Sequence, residues 1–252
     1  MNITTIKNIL IFVFIAIGIH FSYEIIVKPE AQILIELAKQ DGKTLPRNFF
    51  VLIKDIEQEI CIILMLYGVY LILSAILSLL AKRYLFNVDF LEGVDKGKIS
   101  GTKALEQLEK LPKEISLSPL IQTLQASLRR YLITENVQNT SDAISVSVEN
   151  LSSRLETESS MIRYLIWAIP SIGFVGTVRG IGQALSDADK ALSGDIGFMA
   201  ESLGIAFNST FIALLISLLL MFLLNQLQRI QDTSLIEIQA YCEKFLLNRI
   251  SR

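Results

Sequence analysis

The chain has 252 residues, 52% of them hydrophobic, with a mean hydropathy of +0.49 and a formal net charge of −2. That balance offers no basic surface for nucleic acid, and the two cysteines, Cys61 and Cys242, read as free thiols with neither a disulfide pattern nor metal-ligand spacing. His20 is the only histidine and no nucleophile or carboxylate set accompanies it, so the sequence argues against an enzyme and asks for no metal or cofactor.

The fold class expected is an all-α membrane protein with four transmembrane helices and long cytoplasmic helical extensions. The first apolar stretch, Ile9–Val27, closes a segment 1–27. Lys7 precedes it as in a signal peptide, but His20-Phe-Ser-Tyr23 is no small-residue cleavage site, so the segment is read as a retained membrane helix. Residues 28–59 then form an external loop with short helices. Pro29 suits a first helical position, Asp41-Gly42 and Pro46 break the pattern, and Ile33, Leu34 and Leu37 give an apolar side for the membrane surface or a neighbour.

The second span, 60–82, carries the uncharged run Ile60–Ala81, too long for an ordinary core helix. A cytoplasmic helical segment follows over 83–160. Thr102–Leu111 reads as a short helix stopped by Pro112. Leu117, Ile121, Leu124, Leu128, Tyr131 and Leu132, then Ile144, Val148, Leu151, Leu155 and Ile162, recur in steps of three and four, one apolar stripe. No Gly or Pro interrupts from Leu120 to Ile169, so the stripe predicts a near-continuous helix from Ser118 into the third span, 161–182. After a short external loop, 183–201, comes the fourth span, 202–225, with no charge from Leu203 to Leu224. The remainder, 226–252, continues it as a cytoplasmic helix whose inner face carries Leu227, Ile230, Ile238, Tyr241, Phe245 and Arg249. Lys and Arg concentrate between the second and third spans, while the loop after the third is acidic. The positive-inside rule therefore puts both termini and the middle segment in the cytoplasm.

The third and fourth spans are not plain anchors. Gly173, Thr177 and Gly180 share one helical face, Gly176 widens it, and Pro170 removes a backbone bond and loosens the helix. Ala206, Thr210, Ala213 and Ser217 form a second small-residue face, flanked by Asn208 and Ser209. Two readings stand: close helix packing, with hydroxyls bonded to their own helices, or a hydroxyl-lined path for a proton or small cation.

Pro170-Ser-Ile-Gly-Phe-Val-Gly-Thr-Val-Arg-Gly-Ile resembles the P-x-x-G-x-x-G-T-V-x-G segment of the MotA/TolQ/ExbB proton-channel family, and Ala206-Phe-Asn-Ser-Thr-Phe-Ile-Ala-Leu resembles its A-L-x-(T/S)-T-x-x-G-L segment. Both occur in order and on consecutive helices. The resemblance implies a pentameric ring around a MotB/TolR/ExbD-like single-span partner that brings an aspartate into the pore. It makes Thr177 and Thr210 the pore threonines; on the path reading of the fourth span, Asn208, Ser209 and Ser217 are further oxygens of the ion pathway. Pro170, Gly173, Gly176, Gly180, Ala206 and Ala213 would pack or hinge the helices.

The transported ion would be H+, with Na+ the alternative, and the site the bacterial inner membrane. Three positions depart from the pattern: Ile205 stands where many transport-type members carry Glu, Ala213 replaces Gly, and Arg179 replaces an apolar residue. With no acid in the third or fourth span, the titrating group is expected to come from the partner. Arg179 is read either as a snorkelling side chain or as a fixed charge that guards the outer mouth or pairs with an acid of the partner. The competing function is a non-conducting oligomeric scaffold whose cytoplasmic helices bind a partner.

Overall fold

The computed structural model describes residues 3–40, 48–92, 98–186 and 197–251. The expected breaks at Asp41-Gly42 and Pro46, and most of the 183–201 loop, lie outside the described residues. Among those described there is no β-strand. The helices are α1 Ile3–Ser22, α2 Lys28–Gln40, α3 Phe49–Ile53, α4 Ile56–Leu80, α5 Lys98–Glu109, α6 Lys113–Ser116, α7 Pro119–Thr134, α8 Val137–Glu158, α9 Ser160–Ser186 and α10 Gly197–Cys242. Among the described residues four helical stretches are long and apolar enough to cross a membrane: Ile6–Ala38, Ile56–Asn87, Val137–Ser186 and Ser202–Ile250. They leave large apolar side chains facing outward, among them Phe14, Ile17, Leu77, Phe174, Val178, Phe211 and Leu218. In water such faces would associate; against lipid tails they carry no penalty. The chain is a multi-pass membrane protein.

The chain divides into two compact units, Met1–Ile72 with Met161–Leu224, and Leu73–Ser160 with Asn225–Arg252. In the first, α1 does not end before Pro29. It passes through a wide turn, Tyr23–Val27, where the Lys28 N–H bonds back to Tyr23, and continues directly into α2. Pro29 offers no N–H to the Ile25 carbonyl one turn back, and the extra residue in the turn makes room for its ring. Tyr23, Val27 and Ile53 are buried together there. The helix of the second span starts at Ile56, so Glu57, Gln58 and Glu59 belong to its first turn rather than to a loop.

The second unit has a core of Leu108, Ile121, Leu124, Leu128, Ile144, Ile238, Tyr241 and Leu246. The anticipated stripe supplies Ile121, Leu124, Leu128 and Ile144 of these, although Leu117 is exposed. The near-continuous helix is not found. Glu135 takes a left-handed conformation, φ 49°, and caps α7 by donating its N–H to Tyr131 at 2.7 Å. Asn136 then caps α8, its side chain accepting from the Asn139 N–H at 3.2 Å. These two polar residues satisfy the helix ends without Gly or Pro, and α8 packs against α7 instead of extending it. Tyr241 holds the segment before α5: its hydroxyl donates to the Val88 carbonyl at 2.7 Å and accepts from the Phe90 N–H at 3.1 Å.

Candidate functional site

α9 and α10 meet along a seam of small residues. Gly173, Gly176 and Gly180 are buried on α9, opposite Ala213, Ser209, Ala206 and Ser202 on α10. A Cβ added at Gly173 would lie 2.6 Å from the Ala213 Cβ; one at Gly176 would lie 2.5 Å from the Ser209 Cβ; one at Gly180 would lie 2.7 Å from both the Cβ and the N of Ala206. Real carbon contacts sit at about 3.5–4.0 Å. The glycines are therefore what lets the two backbones approach.

Thr177 and Thr210 lie half-buried in this seam and hydrogen-bond each other. The Thr177 hydroxyl is also 3.2 Å from the Ala206 carbonyl and 3.3 Å from its own-helix carbonyl at Gly173, while the Thr210 hydroxyl is 3.1 Å from that same Gly173 carbonyl. Each hydroxyl has one hydrogen to donate. Either Thr177 donates to Thr210, which donates to Gly173, or Thr210 donates to Thr177, which donates to Ala206 or Gly173. Either order can end on the Gly173 carbonyl, so the pair is a hydroxyl chain with two directions.

Pro170 lies inside α9 without ending it. It has no N–H for the Ile166 carbonyl. The Ser217 hydroxyl of α10 donates to that carbonyl at 2.9 Å. Ser217, expected along an ion path, thus repairs the backbone bond that Pro170 removes. Asn208 is half-buried, and its side chain makes no hydrogen bond to any described residue.

The first turn of α4 completes the site. Consecutive helical residues point about 100° apart, and here three of them reach three other helices. The Glu57 carboxylate accepts from the Arg179 guanidinium of α9 at 2.7 Å. The Gln58 amide donates to the Ser209 hydroxyl of α10 at 3.3 Å and to the Leu52 carbonyl at 3.2 Å. Glu59 Oε1 lies 2.7 Å from His20 Nδ1 of α1. All three are buried, with the Glu57 and Glu59 side chains only 6% and 7% exposed. A buried carboxylate needs such partners, and the helix N-terminus beneath favours negative charge. Among the described residues the Tyr23 hydroxyl and Gln58 Oε1 are buried without a hydrogen-bond partner.

This adds to the sequence reading of charge. The third and fourth spans hold no acid, but α4 delivers one to them: Glu57 Cγ would be 3.2 Å from a Cβ on Gly176. Arg179, half-exposed, is paired within its own chain. The signal missed was Glu57-Gln-Glu directly before an apolar run, read as loop because its partners are distant in sequence. No group of three His, Cys, Asp or Glu side chains among the described residues is placed to hold a metal ion.

A model of the MotA/TolQ/ExbB proton channel family matches residues 116–240. The matched stretch contains the whole α9–α10 seam with Thr177, Thr210 and Arg179, and it leaves out His20 and the first turn of α4. Neither a curated protein nor a solved structure matches the chain.

Proposed function

Because this chain belongs to the MotA/TolQ/ExbB proton channel family, we propose that it is the channel-ring subunit of a membrane motor that couples ion flow to mechanical work. Five copies form the ring, in the bacterial inner membrane with both termini cytoplasmic. A MotB/TolR/ExbD-like subunit stands inside it and supplies a membrane aspartate. The ion is H+; Na+ is the alternative that the same oxygen atoms would serve. The observation that carries the reading is the Thr177–Thr210 hydroxyl chain, half-buried and able to run in either direction. A carboxylate in a nearly dry pore is costly when charged. Such a hydroxyl pair donates to it as an anion and accepts from it as an acid.

One observation favours a second reading. Each threonine hydroxyl also reaches a helix carbonyl, as it would in a non-conducting scaffold that uses the pair only to fasten α9 to α10. Thr177→Val with Thr210→Val separates the two. Shape is kept and both hydroxyls go together. The complex with its partner should stay intact, while proton flux into vesicles falls roughly ten- to a hundred-fold, as expected if about 1–3 kcal/mol of hydrogen bonding is lost at the limiting step. Ser74→Ala, on an exposed side of α4, is the control and leaves flux unchanged. Undiminished flux through an intact double variant refutes the pore assignment and leaves the fastening role.

A further inference from the structure

Within the second unit a cavity of about 370 Å³ lies between the end of α4, the turn after it and α10. Its size falls in the range of about 300–1,000 Å³ common to small-ligand clefts. Its place is set by where apolar sequence stops. α4 loses its apolar character at Leu80, ahead of Lys82 and Arg83, and α10 loses its own at Leu224, ahead of Gln226 and Arg229. Both helices therefore change from lipid-like to water-like faces at the level of this cavity.

Leu79, Leu80, Phe86 and Ile230 supply apolar wall, and Arg83 and Arg229 supply charge. Glu237 also lines it and pairs with Arg83 at 3.1 Å. Arg229 is exposed and has no ion pair among the described residues. One positive charge, that of Arg229, thus remains uncompensated in the lining, and exposed Lys82 is next to Arg83 in sequence. Thr233 and Ser234 add hydroxyls. Leading away along α4 from the cavity, Leu80, Leu77 and Leu73 are all exposed at helical spacing, an apolar track on one face.

We propose that this cavity binds an anionic phospholipid. The phosphate lies between Arg229 and Arg83, the glycerol oxygens meet Thr233 and Ser234, and an acyl chain follows Leu80, Leu77 and Leu73. Arginine at a bilayer edge favours anionic over zwitterionic headgroups, and the track meets an acyl chain where a soluble anion would leave it bare.

The test is native mass spectrometry of the full chain, extracted in mild detergent and titrated with dioleoyl phosphatidylglycerol or dioleoyl phosphatidylcholine. Phosphatidylglycerol should be retained about tenfold better. Arg229→Gln with Arg83→Gln should bring the ratio near one. Arg129→Gln, whose partner is Glu109 far from the cavity in sequence, should not change it. Thr233→Trp, which fills the cavity and keeps both arginines, should abolish retention; it guards against charge variants that merely misfold. Equal retention of the two lipids, unchanged preference in the double arginine variant, or displacement of the lipid by millimolar inorganic phosphate would each overturn the proposal. So would failure of Thr233→Trp to affect lipid while breaking the oligomer, since the cavity would then be filled by a second copy of the chain.

Discussion

Gly173→Ala is the sharpest probe of the α9–α10 seam. The added Cβ would meet the Ala213 Cβ at 2.6 Å and the Ser209 carbonyl and Thr210 Cα at 3.2 Å each. The overlap with Ala213 is about 1 Å against ordinary carbon contact. Ala213 has no rotamer with which to yield, so the helices themselves must part, and overpacking of this kind costs about 1–3 kcal/mol. Alanine also gains up to about 1 kcal/mol of helix propensity over glycine. Gly182→Ala, on the same helix with nothing within 4 Å, gains that alone. The difference between the two variants therefore isolates the steric cost, about 1–3 kcal/mol. Ala213→Gly added to Gly173→Ala should recover most of it. Unfolding by SDS titration in detergent micelles, followed by circular dichroism, measures each variant. If Gly173→Ala and Gly182→Ala agree within about 0.5 kcal/mol, or if the Gly173–Ala213 double-mutant cycle gives no coupling, the close approach is refuted.

The same titration tests two further bonds. Ser217→Ala should cost about 1 kcal/mol but nothing when Pro170→Ala has restored an N–H for Ile166; an equal cost in both backgrounds would sink the repair role. Arg179→Gln leaves the Glu57 carboxylate buried and alone, at about 1–3 kcal/mol after discounting for the half-exposed guanidinium. Adding Glu57→Gln should relieve part of that loss, and simple additivity would argue against the pair. Topology is read by cysteine labelling, since both native thiols are buried. Cysteines at Thr44 and Ser193 should react from outside and one at Thr102 from inside. Outside labelling of Thr102 would invert the proposed orientation.

The four apolar helices were legible because each is a long run with few charges, which nothing but a membrane or a large core explains. The breaks between helices were less so. Glu135 adopts a left-handed turn usually left to Gly or Asn, and nothing in its identity marks it. Asn136 is a good helix cap, but a good cap in a polar run is equally a solvated residue. Pro29 looked like the start of a helix and sits instead beyond a wide turn in a helix already under way, because one extra residue accommodates the ring where sequence periodicity shows only a short offset.

The seam shows why a site can be read on one side and missed on the other. Gly173, Gly176 and Gly180, or Ala206 and Ala213, announce themselves by recurring at helical spacing, since each helix presents a face to one neighbour. Glu57, Gln58 and Glu59 have no such period. They point in three directions and are satisfied by Arg179, Ser209 and His20. Each of those three partners was visible alone: an odd arginine, a flanking serine, a single histidine. Only the fold brings them to consecutive residues of one turn, and only burial makes the turn informative. An exposed Glu-Gln-Glu would be a solvated loop. A buried one must have its charges answered, and beside a seam lined by glycine, alanine and hydroxyl there are few places from which the answer comes. The absence of an acid at Ile205 therefore does not leave the seam without a carboxylate. α4 supplies one beside Gly176 and fixes it with Arg179, within the same chain that carries the threonine pair.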